Sequence, residues 1–226
     1  METSVVRTRI LTLVLLLLME RPTGAATGST AFPIPDPGSV GGVNRQDQAS
    51  STAPAPAKPS LADLTYAQVK PDDSFAQFEQ KAFVIGYPAN WKATEEGDTS
   101  FRIAPAEGAN GEVIAYGVAI STAPSSGSFT EATQDLVEAL QRSNPGMHAL
   151  DKPHKIHVGA VQGRAVNLAG NSPVQRNGQP LPEHDWLVTI PRPDGDMLYL
   201  VFIAPEKDFP QLRSTYEKIL SSVQVK

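Results

Sequence analysis

Met197-Leu198-Tyr199-Leu200-Val201-Phe202-Ile203 is a run of seven residues with no charge and no glycine. A strand sends alternate side chains to opposite faces. Met197, Tyr199, Val201 and Ile203 would therefore line one face, and Leu198, Leu200 and Phe202 the other. Both sets are apolar, so the run predicts a strand near the middle of a sheet, covered from above and below.

Two amphipathic helices are available as covers. Ser128-Phe129-Thr130-Glu131 has the form of a capping box. Behind it, Phe129, Ala132, Leu136, Val137 and Leu140 fall on one helical face, opposite Glu131, Gln134, Asp135 and Glu138. Asn144-Pro145-Gly146 stops this helix. A second helix is expected from Asp208, with Gln211 completing another capping box and Phe209, Leu212, Tyr216, Ile219 and Leu220 as its stripe.

The remaining strands follow from alternation and turn chemistry. Phe83, Ile85 and Tyr87 share a face of a strand that Pro88 ends, with Trp91 in the turn beyond. Phe101–Ala104 reads as a short strand. After the Asn110-Gly111 turn signal, Val113–Ser121 reads as one long strand with Ala115, Gly117 and Ala119 on a flat face where a helix can pack closely. His154–Val158 and Gln162–Leu168 flank a turn at Gly159. Asp185–Ile190 and the opening run flank Pro193-Asp194-Gly195, a turn-forming triplet. Val223 and Val225 close the chain with a short strand. The sum is an α+β domain over 61–226: an antiparallel sheet of about six or seven strands sandwiched between helices.

What precedes that domain differs in kind. Arg7 and Arg9 stand before the apolar run Ile10–Met19, and small residues follow at Thr23-Gly24-Ala25-Ala26, the pattern of a secretory signal peptide over 1–26. The run is shorter than the roughly 20 residues a membrane span needs. Membrane attachment is expected only if this segment is retained. Residues 27–60, with Pro33, Pro35, Pro37, Pro54, Pro56 and Pro59 among small polar residues, have little to bury and are expected to form a disordered linker. Its root-mean-square reach would be roughly 30–35 Å. These features predict export to the periplasm or beyond.

Composition narrows the function classes. The net charge of −5, without a basic stripe, argues against a nucleic-acid partner. The chain has no cysteine, which excludes disulfides, thiolate metal sites and a cysteine nucleophile. Four histidines are present, His148, His154, His157 and His184. His154 and His157 stand three apart on a strand and point to opposite faces, so they do not make a metal pair. His184 and Asp185 are strand neighbours, and Asp185 is badly placed to orient the imidazole. Glu95-Glu96-Gly97-Asp98 lacks the alternating spacing of a calcium loop. Gly108, Gly111 and Gly117 do not open a helix as a phosphate loop would, and Asp72-Asp73 reads as turn chemistry. Trp186 is in phase with Val188 and Ile190 and is expected in the core. No catalytic, cofactor-binding or metal residue is assigned.

Phe83-x-Ile85-x-Tyr87-Pro88-x-x-Trp91 resembles the opening of PsbP-like domains, the fold of the photosystem II extrinsic subunit P and the Mog proteins. The ending is similar too, in Tyr199-x-Val201-Phe202-x-Ala204-Pro205 and then Phe209, Leu212, Tyr216 and Ile219-Leu220-Ser221-Ser222. A closer resemblance is to the domain that follows the catalytic region of some bacterial membrane-associated zinc metallopeptidases. It rests on Gly117-Val118, the Leu136–Leu140 helix, Asn144-Pro145 and Asp185-Trp186-Leu187-Val188-Thr189. The peptidases' own zinc motif is absent from the chain. The resemblance implies non-enzymatic work: an exported accessory or assembly domain with a protein partner in the bacterial cell envelope and no cofactor. Two other readings stand beside it, a periplasmic carrier of a small ligand or metal, and a hydrolase centred on His184 or Asp185.

Overall fold

The structure, a computed structural model, describes residues 60–226 except Glu112 and Ser126. The signal expected over 1–26 and, apart from Ser60, the linker expected over 27–60 lie outside the described residues. A 3-10 turn (Leu61–Asp63) and helix α1 (Tyr66–Val69) lead into β1 (Phe75–Glu79) and β2 (Phe83–Pro88). Then come β3 (Trp91–Glu95), β4 (Ser100–Pro105), β5 (Ala109–Asn110), β6 (Val113–Ile114) and β7 (Gly117–Pro124). Helix α2 (Phe129–Ser143) precedes β8 (His148–Ala149), β9 (His154–Val158) and β10 (Val161–Arg176). The chain continues through β11 (Gln179–Pro191), β12 (Asp196–Pro205), helix α3 (Phe209–Ser221) and β13 (Gln224–Val225).

The main sheet runs β3-β4-β7-β12-β11-β10-β8, with β9 also on β10. A smaller sheet runs β1-β2-β13, and β5-β6 form a ribbon. The pairing of β12 is antiparallel to β7 on one side and to β11 on the other. All seven residues of Met197–Ile203 are at most 8% exposed. Leu198, Leu200 and Phe202 join a core with Leu212, Tyr216 and Ile219 of α3. Met197, Tyr199, Val201 and Ile203 join another with Ala132, Leu136, Val137 and Leu140 of α2. Burying each such side chain is worth roughly 1.5–3 kcal/mol. The sheet lies between α2 and α3, as the sequence pattern requires, and the fold is α+β.

Several elements differ from their sequence reading. Trp91 is not in a turn: it starts β3 and is 4% exposed, with its ring 6.3 Å from that of Tyr216. The expected strand Val113–Ser121 is broken. Tyr116 turns into the α3 core between β6 and β7, and Gly117 takes φ 153°. A Cβ at Gly117 would stand 2.6 Å from the Ile103 carbonyl oxygen, so only glycine lets β7 rejoin β4 there. Most of the hairpin β10–β11 was not foreseen: both strands run past their expected limits to a turn at Asn177-Gly178, where both residues have positive φ.

The two helix starts also part ways. Ser128 and Glu131 form the expected capping box. Asp208 has helical φ and ψ and makes no side-chain cap; Pro210 occupies the first turn instead. The Asp208 carboxylate is drawn inward by the hydroxyl of Tyr116, which donates to Oδ2 at 2.6 Å.

Candidate functional site

Where β11 begins and β12 ends, the sheet outruns α3 and a cavity of about 300 Å³ opens. Leu61, Ala62 and Leu64, at the very start of the described chain, form one wall. Leu181 and Pro182 of β11, with Pro205 of β12, form the other. Arg176, Glu206 and Lys207 complete its lining. The lining is therefore mostly apolar, with three charged side chains.

Polar contacts fix this corner. Arg176 donates to the Ala62 carbonyl, and its Nε is 3.7 Å from Asp63 Oδ1, tying the far end of the hairpin to the 3-10 turn. Behind Leu64 lies the Tyr116–Asp208 pair, with the Leu64 carbonyl 3.3 Å from the phenol oxygen. Burial, then the neighbouring Asp208 carboxylate, push the Tyr116 phenol well above its ordinary range. Tyr116 is therefore a neutral donor at any physiological pH. Lys207 Nζ stands 3.9 Å from Asp208 Oδ2.

Two residues along β11 from Pro182, His184 lies flat on Phe209, with ring centroids 3.9 Å apart. Its Nε2 is 3.3 Å from Asn167 Oδ1. Asn167 gives its amide N–H₂ to Asp151 at 2.6 Å, which leaves Oδ1 as an acceptor, so Nε2 of His184 carries the proton. Burial, then the Arg213 guanidinium, lower the pKa of His184 and favour the neutral ring. Arg213 itself stacks over the Trp186 indole at 3.8 Å.

The residues weighed in the sequence scatter. His184 and Asp185 occupy opposite faces of β11, so they do not form a base and its orienting acid. Asp185 lies instead beside Glu183, its neighbour but one, on the face beneath α2. His148, His154 and His157 are exposed, and His154 Nδ1 is 3.7 Å from Asp151. Within the acidic loop, Glu95 accepts from Gln80 at 2.8 Å and Glu96 pairs with Arg102 at 2.8 Å. Asp72 meets Asn90 through its backbone N–H. Trp91 and Trp186 are core residues. Among the described residues no three His, Asp or Glu side chains gather as metal ligands.

Sequence reasoning missed Arg176, Tyr116, Asp208 and Glu183. The Asn177-Gly178 pair was the available signal for the hairpin that carries Arg176 and Glu183. The Tyr116–Asp208 contact joins residues 92 apart and leaves no local trace.

No protein-family model matches the sequence, and no curated protein does. Solved structures do match in three dimensions. The solution structure of cyanobacterial PsbP (CyanoP) from Synechocystis sp. PCC 6803 superposes with a TM-score of 0.50 at 10% identity, over 68% of this chain and 93% of that one. The fold is PsbP-like. LpqN, described as involved in cell envelope biogenesis of Mycobacterium tuberculosis, gives a TM-score of 0.47 at 12% identity, over 68% of this chain and 91% of its own. At such identities the PsbP-like likeness concerns architecture alone. Among the described residues no helix is long and apolar enough to cross a membrane.

Proposed function

We propose that this chain is an exported, non-catalytic accessory domain of the bacterial cell envelope that binds another protein through the cavity beside α3. The character of that cavity supports the reading. Leucine, alanine and proline walls accept an apolar side chain, and the flanking Arg176, Glu206 and Lys207 can set the register of charges around it. Interfaces concentrate their binding energy in such desolvated anchors within a polar rim. The signal-like start fits export, and the proline-rich segment ahead of Ser60 fits a flexible tether. The finer sequence likeness, to the domain that follows the catalytic region of envelope zinc metallopeptidases, makes a peptidase one partner to look for.

Site-specific photo-crosslinking in cells tests this. A probe at Leu181 of the full chain should capture one discrete envelope protein, and a probe at the exposed Leu150 should not. Charge insertion by Leu181→Arg should abolish co-purification of that protein while leaving Tm within a few degrees. Equal capture from both positions, or co-purification untouched by Leu181→Arg, would sink the proposal. The cavity volume also lies at the lower end of small-ligand sites. Native mass spectrometry of the chain purified from envelope extract would reveal such a ligand as a mass adduct lost in the same variant.

A further inference from the structure

Glu183 and Asp185 project from one face of β11 and are 7% and 2% exposed. Asp185 faces Leu168 of β10 and Ile203 of β12 across the sheet, both in the core beneath α2. Its Oδ1 is buried without a hydrogen-bond partner. Among the described residues no cation acts on either carboxyl. On β10 the Ser172 hydroxyl, which accepts from the Val174 N–H at 3.3 Å, partly offsets the effect of burial on Glu183. On α3 the titratable group that feels both carboxyls is Tyr216, whose hydroxyl donates to the Ile203 carbonyl at 2.7 Å. At the end of α2, Asn144 keeps its own Oδ1 buried and unpartnered. The charges of Arg213, Glu206 and Asp151 act on His184, which points to the other face. Two carboxylates in an apolar core without a counter-ion cannot both stay ionised.

The turn that follows α2 closes over this pair. Glu183 is paired with Gly170 on β10. A Cβ on Gly170 would lie 3.3 Å from Met147 Cα, and one on Gly146 would lie 3.2 Å from Asn171 Nδ2. Gly146 and Met147 thus rest directly on β10 at the strand position beside Glu183.

We propose that Glu183 and Asp185 form a proton-dependent clamp. Protonated, the pair lets the turn after α2 seat on β10; ionised, it draws in water and loosens that turn. Burial pushes the Glu183 carboxyl from its ordinary 4.5 up to about 7, and burial with the adjacent Glu183 holds Asp185 well above the carboxylate range. At Glu183 the folded chain then binds more protons than the unfolded chain between about 4.5 and 7, a gain that the lowered His184 opposes near its ordinary 6.5. Stability is fully present below that window and is lost as pH rises through it. The inference is independent of what the cavity binds.

Thermal unfolding of the full chain between pH 5 and pH 8 tests the clamp. The wild-type Tm should fall across this range by on the order of 5 °C or more. In the wild type, amides 147–149 should exchange faster at pH 8 than at pH 5 after correction for the intrinsic rate; Glu183→Gln should remove that difference, flatten the Tm dependence and raise Tm at pH 8. If the variant fails to fold, the carboxyl-carbon NMR titration of Glu183 in the wild-type chain decides, with a midpoint well above 4.5 expected. A wild-type Tm flat with pH, a slope unchanged in Glu183→Gln, or a Glu183 midpoint at the ordinary carboxylate value would each overturn the proposal.

Discussion

The two faces of the main sheet are packed by different means. Beneath α3 the core is aromatic: Trp186 lies 5.0 Å from Phe202, Phe202 lies 5.1 Å from Tyr216, and Tyr216 lies 5.7 Å from Phe209. Beneath α2 it is mostly aliphatic and small residues around Tyr199, and polar groups penetrate it. Thr133 and Thr189 meet there at 2.8 Å, and Glu183 and Asp185 lie buried at one end. Large rings gain area and shape complementarity; the Tyr216 hydroxyl is satisfied by the Ile203 carbonyl at 2.7 Å, and Nε1 of Trp186 is buried without a partner. Buried hydroxyls and carboxyls are tolerated only while donors and protons are supplied. The α2 face therefore holds two carboxyls that depend on protons, while the ionisable ring on the α3 face is His184, stacked on Phe209 and held neutral by burial.

The largest effect should come from the aromatic side. Phe202→Ala removes a fully buried ring and should cost about 3–5 kcal/mol. Val201→Ala, one residue along and facing α2, should cost about 2 kcal/mol. Urea titration measures both, with an unchanged m value confirming that the same surface is exposed on unfolding. Equal costs would erase the contrast between the faces.

The threonine pair sharpens it. Thr133 also donates to the Phe129 carbonyl at 2.9 Å, so within the pair the Thr189 hydroxyl is the donor and Thr133 Oγ1 the acceptor. Thr133→Val leaves the Thr189 hydroxyl buried and unpaired, and should cost about 1–3 kcal/mol. Thr189→Val leaves Thr133 still bonded to Phe129, and should cost under about 1 kcal/mol. The double variant should be no worse than Thr133→Val alone, a non-additivity expected of contacting residues. Strict additivity in the cycle would mean that the two hydroxyls do not interact.

This contrast also governs what could be read without coordinates. Met197–Ile203 was legible because an uncharged run with two apolar faces has few places to go, and the stripes of α2 and α3 supplied its covers. The outer half of β10–β11 was not. Pro173, Pro180 and Pro182 cannot donate to a ladder, and they argue against strand wherever both edges must pair. They are tolerated because the hairpin outruns its neighbours, and because the register shifts between Asn171 and Gln175. The cavity was hidden for a related reason: its walls join Leu61–Leu64 to residues more than a hundred positions later. The Glu183–Asp185 pair leaves no contiguous signal: the strand neighbour His184 between them faces away, and the two carboxyls share a face only at a spacing of two.

The smallest effect separates two helix starts that look alike in sequence. Ser128 accepts from the Glu131 N–H at 3.2 Å, and Glu131 accepts from the Ser128 N–H at 2.9 Å, so Ser128→Ala should cost about 1 kcal/mol. Asp208 and Gln211 have the same spacing, yet the Asp208 carboxylate is held by Tyr116, and Gln211 reaches only its Oδ1, at 3.4 Å. Gln211→Ala should therefore stay within about 0.5 kcal/mol of the wild type. Matching losses from the two variants would show a cap at both helices. The expected inequality would show that a capping residue was given up at α3 to satisfy a buried tyrosine, which is a tertiary demand overriding a local one.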